Sequence, residues 1–129
     1  MKKLFSLFAL LLKLFCSGQI INIPDTNLKQ WLLQATPQNN RASYTYPAQT
    51  YNTIDTNGDG EIQVAEAALV KYLKIDSIFF INTNFNSLAG IEQFINIKGL
   101  ICIGIDSFNA ADFAGLESLQ LKFVQTPLN

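Results

Sequence analysis

The chain has 129 residues, 49% hydrophobic and 15% charged, with a formal net charge of −1. That length and composition fit one domain with a packed core and argue against disorder. The sequence has no histidine and no basic excess, which argues against imidazole-based catalysis and a basic nucleic-acid footprint.

Residues 1–18 read as a signal peptide: a basic start, "MKK", an apolar run, "LFSLFALLLKLF", and small residues in "CSG". Cleavage is expected before Gln19. A membrane-spanning helix needs about 20 apolar residues, and Lys13 interrupts the run too early. No membrane span is therefore expected after signal cleavage. Loss of Lys2, Lys3 and Lys13 leaves 6 basic against 10 acidic groups, a net charge of −4. Of the 2 cysteines, Cys16 leaves with the signal. Cys102 alone remains, so no intrachain disulfide is expected even though export would permit one.

"IINIP", residues 20–24, reads as a short extended lead-in. Asp25 can accept hydrogen bonds from the free amides of a helix beginning at Thr26. Leu28, Trp31, Leu32 and Ala35 then fall on one stripe at helical spacing, and Pro37 ends the helix. Residues 36–53 follow neither apolar period and are interrupted by Pro47, so they read as a long polar loop. Tyr44, Tyr46 and Tyr51 lie in it, either packed over the loop's own base or exposed as an aromatic surface.

"DTNGDGEIQVAE", Asp55 to Glu66, follows the pattern of a twelve-residue calcium loop. Asp55, Asn57 and Asp59 hold its first, third and fifth positions. Gly60 is sixth, where the turn requires positive φ. Glu61 is seventh and is expected to offer its backbone carbonyl; Gln63 is ninth, acting directly or through water. Glu66 is twelfth and can give two oxygens. Hard oxygen donors select Ca2+, and the lack of thiolate or imidazole argues against zinc. Ile62, at the eighth position, is expected to point into the core. An exit helix is expected to carry Ala65, Leu69 and Tyr72 or Leu73 on one face. Pro47 argues against an entering helix, and no second loop is present to pair with this one.

Beyond that helix, Ile75, Ile78, Phe80, Thr83 and Phe85 fit a leucine-rich-repeat frame. Ile97, Leu100, Cys102, Ile105 and Ser107 fit it 22 residues on, and Leu116, Leu119, Leu121, Val124 and Thr126 a further 19 on. "LAGIEQF" from Leu88 returns as "FAGLESL" from Phe113, 25 residues apart. The two offsets conflict, which implies a contracted last unit. Each unit is expected to give one short parallel strand, with Cys102 turned inward. The usual turn asparagine is replaced by Thr83, Ile105 and Val124.

The order of "INIPDTNLKQWLL", "IDTNGDGEIQVAEA" and "SLAGIEQFINIKGLICI" behind an export signal resembles the N-terminal region of secreted leucine-rich-repeat proteins of Bacteroidetes-type bacteria, broadly similar to internalin caps. The resemblance implies an α/β fold. A helical, EF-hand-like cap occupies 19–74, with its calcium loop at 55–66. About two and a half leucine-rich repeats of parallel strands follow over 75–129. It implies Ca2+ ligation by Asp55, Asn57, Asp59, Glu61 and Glu66, and a repeat surface that meets a protein or glycan ligand. The chain ends in mid-unit at "QTPLN", suggesting a truncated product or minimal remnant with an edge for self-association.

The expected function is a secreted or cell-surface interaction module, with the periplasm as another destination, and not an enzyme. Its carboxylates are committed to the metal loop or scattered over turns, as Glu92 and Glu117 are, and no phosphate-binding glycine loop is present. The alternatives are a dockerin-like calcium-dependent docking module and a fragment with no function of its own.

Overall fold

The computed structural model describes residues 18–76, 87–104 and 115–122. Helix α1 spans Thr26–Leu33, and its start follows the sequence. Asp25 Oδ1 accepts from the Asn27 and Leu28 amides at 3.0 and 3.1 Å. Leu28, Trp31, Leu32 and Ala35 are all buried, as their spacing predicts. Full burial of a leucine side chain stabilises by about 1.5–3 kcal/mol, so this stripe holds the helix in place. Trp31 Nε1 also donates to Lys74 O at 3.1 Å, fastening the helix to the sheet. The Arg41 guanidinium lies 3.7 Å from the Trp31 ring centroid.

Among the described residues the sheet has four strands in chain order: β1 (Ala42–Ser43), β2 (Tyr72–Asp76), β3 (Gly99–Ile103) and β4 (Ser118–Lys122). β1 runs antiparallel to β2, while β2, β3 and β4 are parallel. The protein is thus a mixed α/β fold, in which buried residues of α1 and of a second helix, α2 (Val64–Ala67), share one core with the strands. Leu73, Ile75, Leu100 and Cys102 are buried at alternate positions, and Leu119 packs against the same core. Among the described residues no helix is long and apolar enough to cross a membrane.

Three local expectations need correction. The exit helix is a single turn; Ala65 and Leu69 are exposed, and Tyr72 and Leu73 already belong to β2. Pairing with β3 outweighs a helical pattern that offers no continuous buried face. The loop after α1 is not wholly irregular, because Ala42 and Ser43 are buried and pair with Leu73 and Tyr72. The register of the first repeat frame also changes. Leu73 and Ile75 lie beside Leu100 and Cys102, where the 22-residue offset would have put Ile78 and Phe80.

The 19-residue offset does hold for the next pair: Leu100 faces Leu119 and Cys102 faces Leu121. Gly90 and Gly115 both have positive φ, at 102° and 90°. Gly90 precedes β3 by nine residues, whereas Gly115 precedes β4 by three. The shortened path between turn and strand accounts for the conflicting offsets. Ile78, Phe80, Thr83, Phe85, Ile105, Ser107, Val124, Thr126 and residues 1–17 of the leader lie outside the described residues.

Candidate metal centre

Ile54 and Ile62 are buried at 0% and 1% exposure, anchoring the 55–66 loop at both sides while its middle stays in solvent. Between these anchors the chain turns through Gly58 and Gly60, with φ of 71° and 79°. A Cβ at Gly60 would meet nothing within 4 Å. The requirement for glycine there is therefore conformational, not steric crowding by neighbours.

The side-chain oxygens hold the turn from within. Asp55 Oδ1 accepts from the Gly58 and Asp59 amides at 2.8 and 3.2 Å, and Asp55 Oδ2 from the Gly60 amide at 3.0 Å. Asn57 Oδ1 accepts from the Asp59 amide at 3.0 Å. Asp59 Oδ1 accepts from the Glu61 amide at 2.9 Å. Gln63 Nε2 donates to Asp59 Oδ2 at 2.6 Å, and Asn57 Nδ2 bridges Asp59 Oδ2 and Gln63 Oε1 at 3.2 and 3.3 Å. The Glu61 amide, followed by the Gln63 and Asn57 side chains, holds the Asp59 carboxyl below its ordinary value of 3.8.

Glu66 is buried at 6% exposure on α2. Its Oε1 accepts from the amide and hydroxyl of Thr56, both at 2.7 Å, and from the Asn57 amide at 3.4 Å. Its Oε2 accepts from the Gln63 amide at 3.0 Å, capping the helix it sits on. The twelfth residue thereby closes the loop onto its second and third positions. Glu61 turns its carboxylate outward to Lys29, 2.6 Å away, so only its backbone remains on the loop side.

The six predicted residues thus occupy one turn. Asn57, Asp59 and Gln63 meet directly; Asp55 joins them through backbone amides, and Glu66 through Thr56 and Asn57. Among the described residues no three acidic, thiol or imidazole groups converge to hold an ion by themselves. A cation here would depend on amide and carbonyl oxygens as well as carboxylates, a donor set suited to a hard ion such as Ca2+.

Besides the Lys29–Glu61 pair, two contacts that hold the loop had not been expected from the sequence. Thr56 binds the closing carboxylate; its hydroxyl beside Asp55 was the available signal. The other is the segment before α1: the Ile21 amide donates to Ile62 O at 2.9 Å, and the Val64 amide to Gln19 O at 2.7 Å. This backbone pairing leaves no side-chain pattern to read.

The tyrosines of the long loop pack inward in different ways. Tyr44 donates its hydroxyl to Thr53 O at 2.6 Å, Tyr46 lies against Gly99, and the Tyr51 and Tyr72 rings are tilted with centroids 6.3 Å apart. Cys102 is a buried free thiol, pushed up to about 12 by burial. No protein-family model, curated protein or solved structure matches this chain.

Proposed function

We propose that this protein is a secreted, non-catalytic interaction module whose 55–66 loop binds Ca2+ and staples an EF-hand-like helical cap to a short leucine-rich-repeat stack. The observation that carries this reading is one glycine-shaped turn in which Asn57, Asp59 and Gln63 meet directly, while Asp55 and Glu66 hold it closed through backbone amides. The amides of Asn57 and Gln63 each carry an oxygen and a nitrogen. A half-turn of either amide plane presents the other atom without moving the backbone. The parallel order of β2, β3 and β4 and the paired positive-φ glycines support the repeat part of the proposal. A protein or glycan would meet the repeat surface.

Calcium would supply positive charge to a turn that carries the carboxylates of Asp55, Asp59 and Glu66. A single loop without a second to pair with is expected to bind with Kd of about 10⁻⁴–10⁻³ M, suited to an extracellular staple. At a Kd of about 0.5 mM, 10 mM Ca2+ would stabilise the fold by about 1.8 kcal/mol. Titration of the purified protein with Ca2+, alongside melting in Ca2+ and in chelator, tests the reading. Saturable uptake and a melting point raised by roughly 5–10 °C are expected; no uptake at millimolar Ca2+ would overturn it.

A docking role for the loop and α2 themselves draws on Val64 and Leu69, which are 40% and 46% exposed beside the loop. Asp55→Ala separates the two. A staple loses stability while the surviving folded protein keeps its contact surface; a docking loop loses its partner with little loss of fold.

A further inference from the structure

Ile62 is 1% exposed, so its carbonyl requires a partner inside the protein. That partner is the Ile21 amide at 2.9 Å. Two residues later, Val64 begins α2, where a helix leaves its first amides unpaired. The Val64 amide donates instead to Gln19 O at 2.7 Å. Between these bonds lies an antiparallel bridge from Ile20 to Gln63.

We infer that Gln19–Ile21 is a positioning strand of the metal centre, and that its docking and Ca2+ uptake by the 55–66 loop strengthen each other. The inference rests on the calcium reading above. The strand grips Ile62 and Val64, which flank the ninth-position Gln63 and lead into the helix that carries Glu66. It thereby fixes the ninth and twelfth positions relative to the rest of the turn. Ile21, and Ile23 just beyond the strand, hold it down in turn, buried at 3% and 7% exposure.

The same segment ties the loop to the turn before β3. Gln93 Nε2 donates to Asn22 O at 3.0 Å, and the Asn22 amide donates back to Gln93 Oε1 at 3.4 Å. Asp25 Oδ2 accepts from the Ser87 amide at 3.2 Å. A shift of the segment away from the loop would pull on both attachments. Because coupling between two binding events is reciprocal, an ion that favours the closed turn must favour the docked strand by the same factor.

Val64→Pro is a selective lesion. Proline suits the first position of a helix, and Gln63 already has the extended conformation, φ −79° and ψ 156°, that precedes proline. The change deletes the amide that holds Gln19 and sets a ring against its oxygen. Ca2+ titration of the wild-type protein and Val64→Pro is paired with exchange of the wild-type Ile21 amide with and without 10 mM Ca2+. Kd is expected to rise about fivefold or more in the variant. Ca2+ is also expected to slow Ile21 exchange by about fivefold or more under conditions where this amide exchanges faster than the amides of β3, and so by local opening and not by global unfolding. Equal affinities in folded wild type and variant, or Ile21 exchange indifferent to Ca2+ that is bound, overturn the inference and leave the calcium reading standing. If the wild type takes up no Ca2+, both fail. Should Val64→Pro not fold, the wild-type exchange measurement decides alone.

Discussion

Lys29 Nζ lies 2.6 Å from Glu61 Oε2, so the acid at the loop's seventh position faces helix α1 and not the turn. The pair is partly exposed, at 27% and 38% for the two side chains, and solvent screens it. Glu61→Gln is therefore expected to lower stability by less than about 1 kcal/mol. Calcium affinity should stay within about threefold of wild type, because the backbone carbonyl is retained. Titration calorimetry and urea unfolding check both. A tenfold loss of affinity would mean that the Glu61 carboxylate contributes directly.

Asp59 is expected to make the fold sensitive to acid. Hydrogen bonds, that from the Glu61 amide foremost, hold its carboxyl below 3.8 in the folded protein. The unfolded chain, with a carboxyl near its usual value of about 3.9, then takes up the proton first as pH falls. The stability contributed by Asp59 is fully present above that value and is lost as pH falls through the lower folded one. Asp59→Asn keeps the acceptor for Glu61 but removes the charge. In chelator, the difference in stability between wild type and Asp59→Asn should be constant from pH 7 to about pH 5. It should shrink below about pH 4, as followed by urea midpoints.

Helix α1 was legible because every determinant is local: Asp25 reaches amides two and three residues away, and Leu28, Trp31 and Leu32 repeat at helical spacing. The turn of the 55–66 loop was legible for the same reason, since Gly60 and the acids flanking it act within a few residues of one another. β1 was not, because two residues become a strand only when Leu73 and Tyr72 arrive to pair with them. The start of β2 was hidden likewise: Tyr72 and Leu73 extend a helical pattern from Ala65 as readily as they open a strand. Pairing with Gly99 and Leu100 decides the matter. The bonds from Gln19 and Ile21 to the loop use only backbone atoms, so residue identities at those positions gave no sign of them.

Gly90 is the position where a single methyl should do the most damage. Its φ is 102°, and a Cβ would collide with Asn22 O and lie 2.9 Å from Ile23 Cγ1. Both neighbours follow directly on the residues that bond the 55–66 loop, and Ile23 is buried. Backbone strain and overpacking together make Gly90→Ala cost about 3 kcal/mol or more. Gly115→Ala, at φ 90° with nothing within 4 Å of its Cβ, should cost about 1–2 kcal/mol from conformation alone. Comparison of urea midpoints tests the order; equal losses would show that the contact with Asn22 and Ile23 is unimportant.

Cys102 should behave as a small apolar side chain and not as a reactive thiol. It is fully buried on β3, paired in register with Ile75 on one side and Leu121 on the other. Burial pushes its thiol up to about 12, so the thiolate that reacts with electrophiles is scarce near neutral pH. A thiol reagent added at pH 8 should label Cys102 only as fast as the sheet opens, and labelling should accelerate with urea in parallel with unfolding. If Ca2+ stabilises the fold as proposed and β3 opens with it, Ca2+ should slow labelling in proportion to the stability gained. Rapid labelling of the native protein, insensitive to urea, would show that β3 is open to solvent at Cys102.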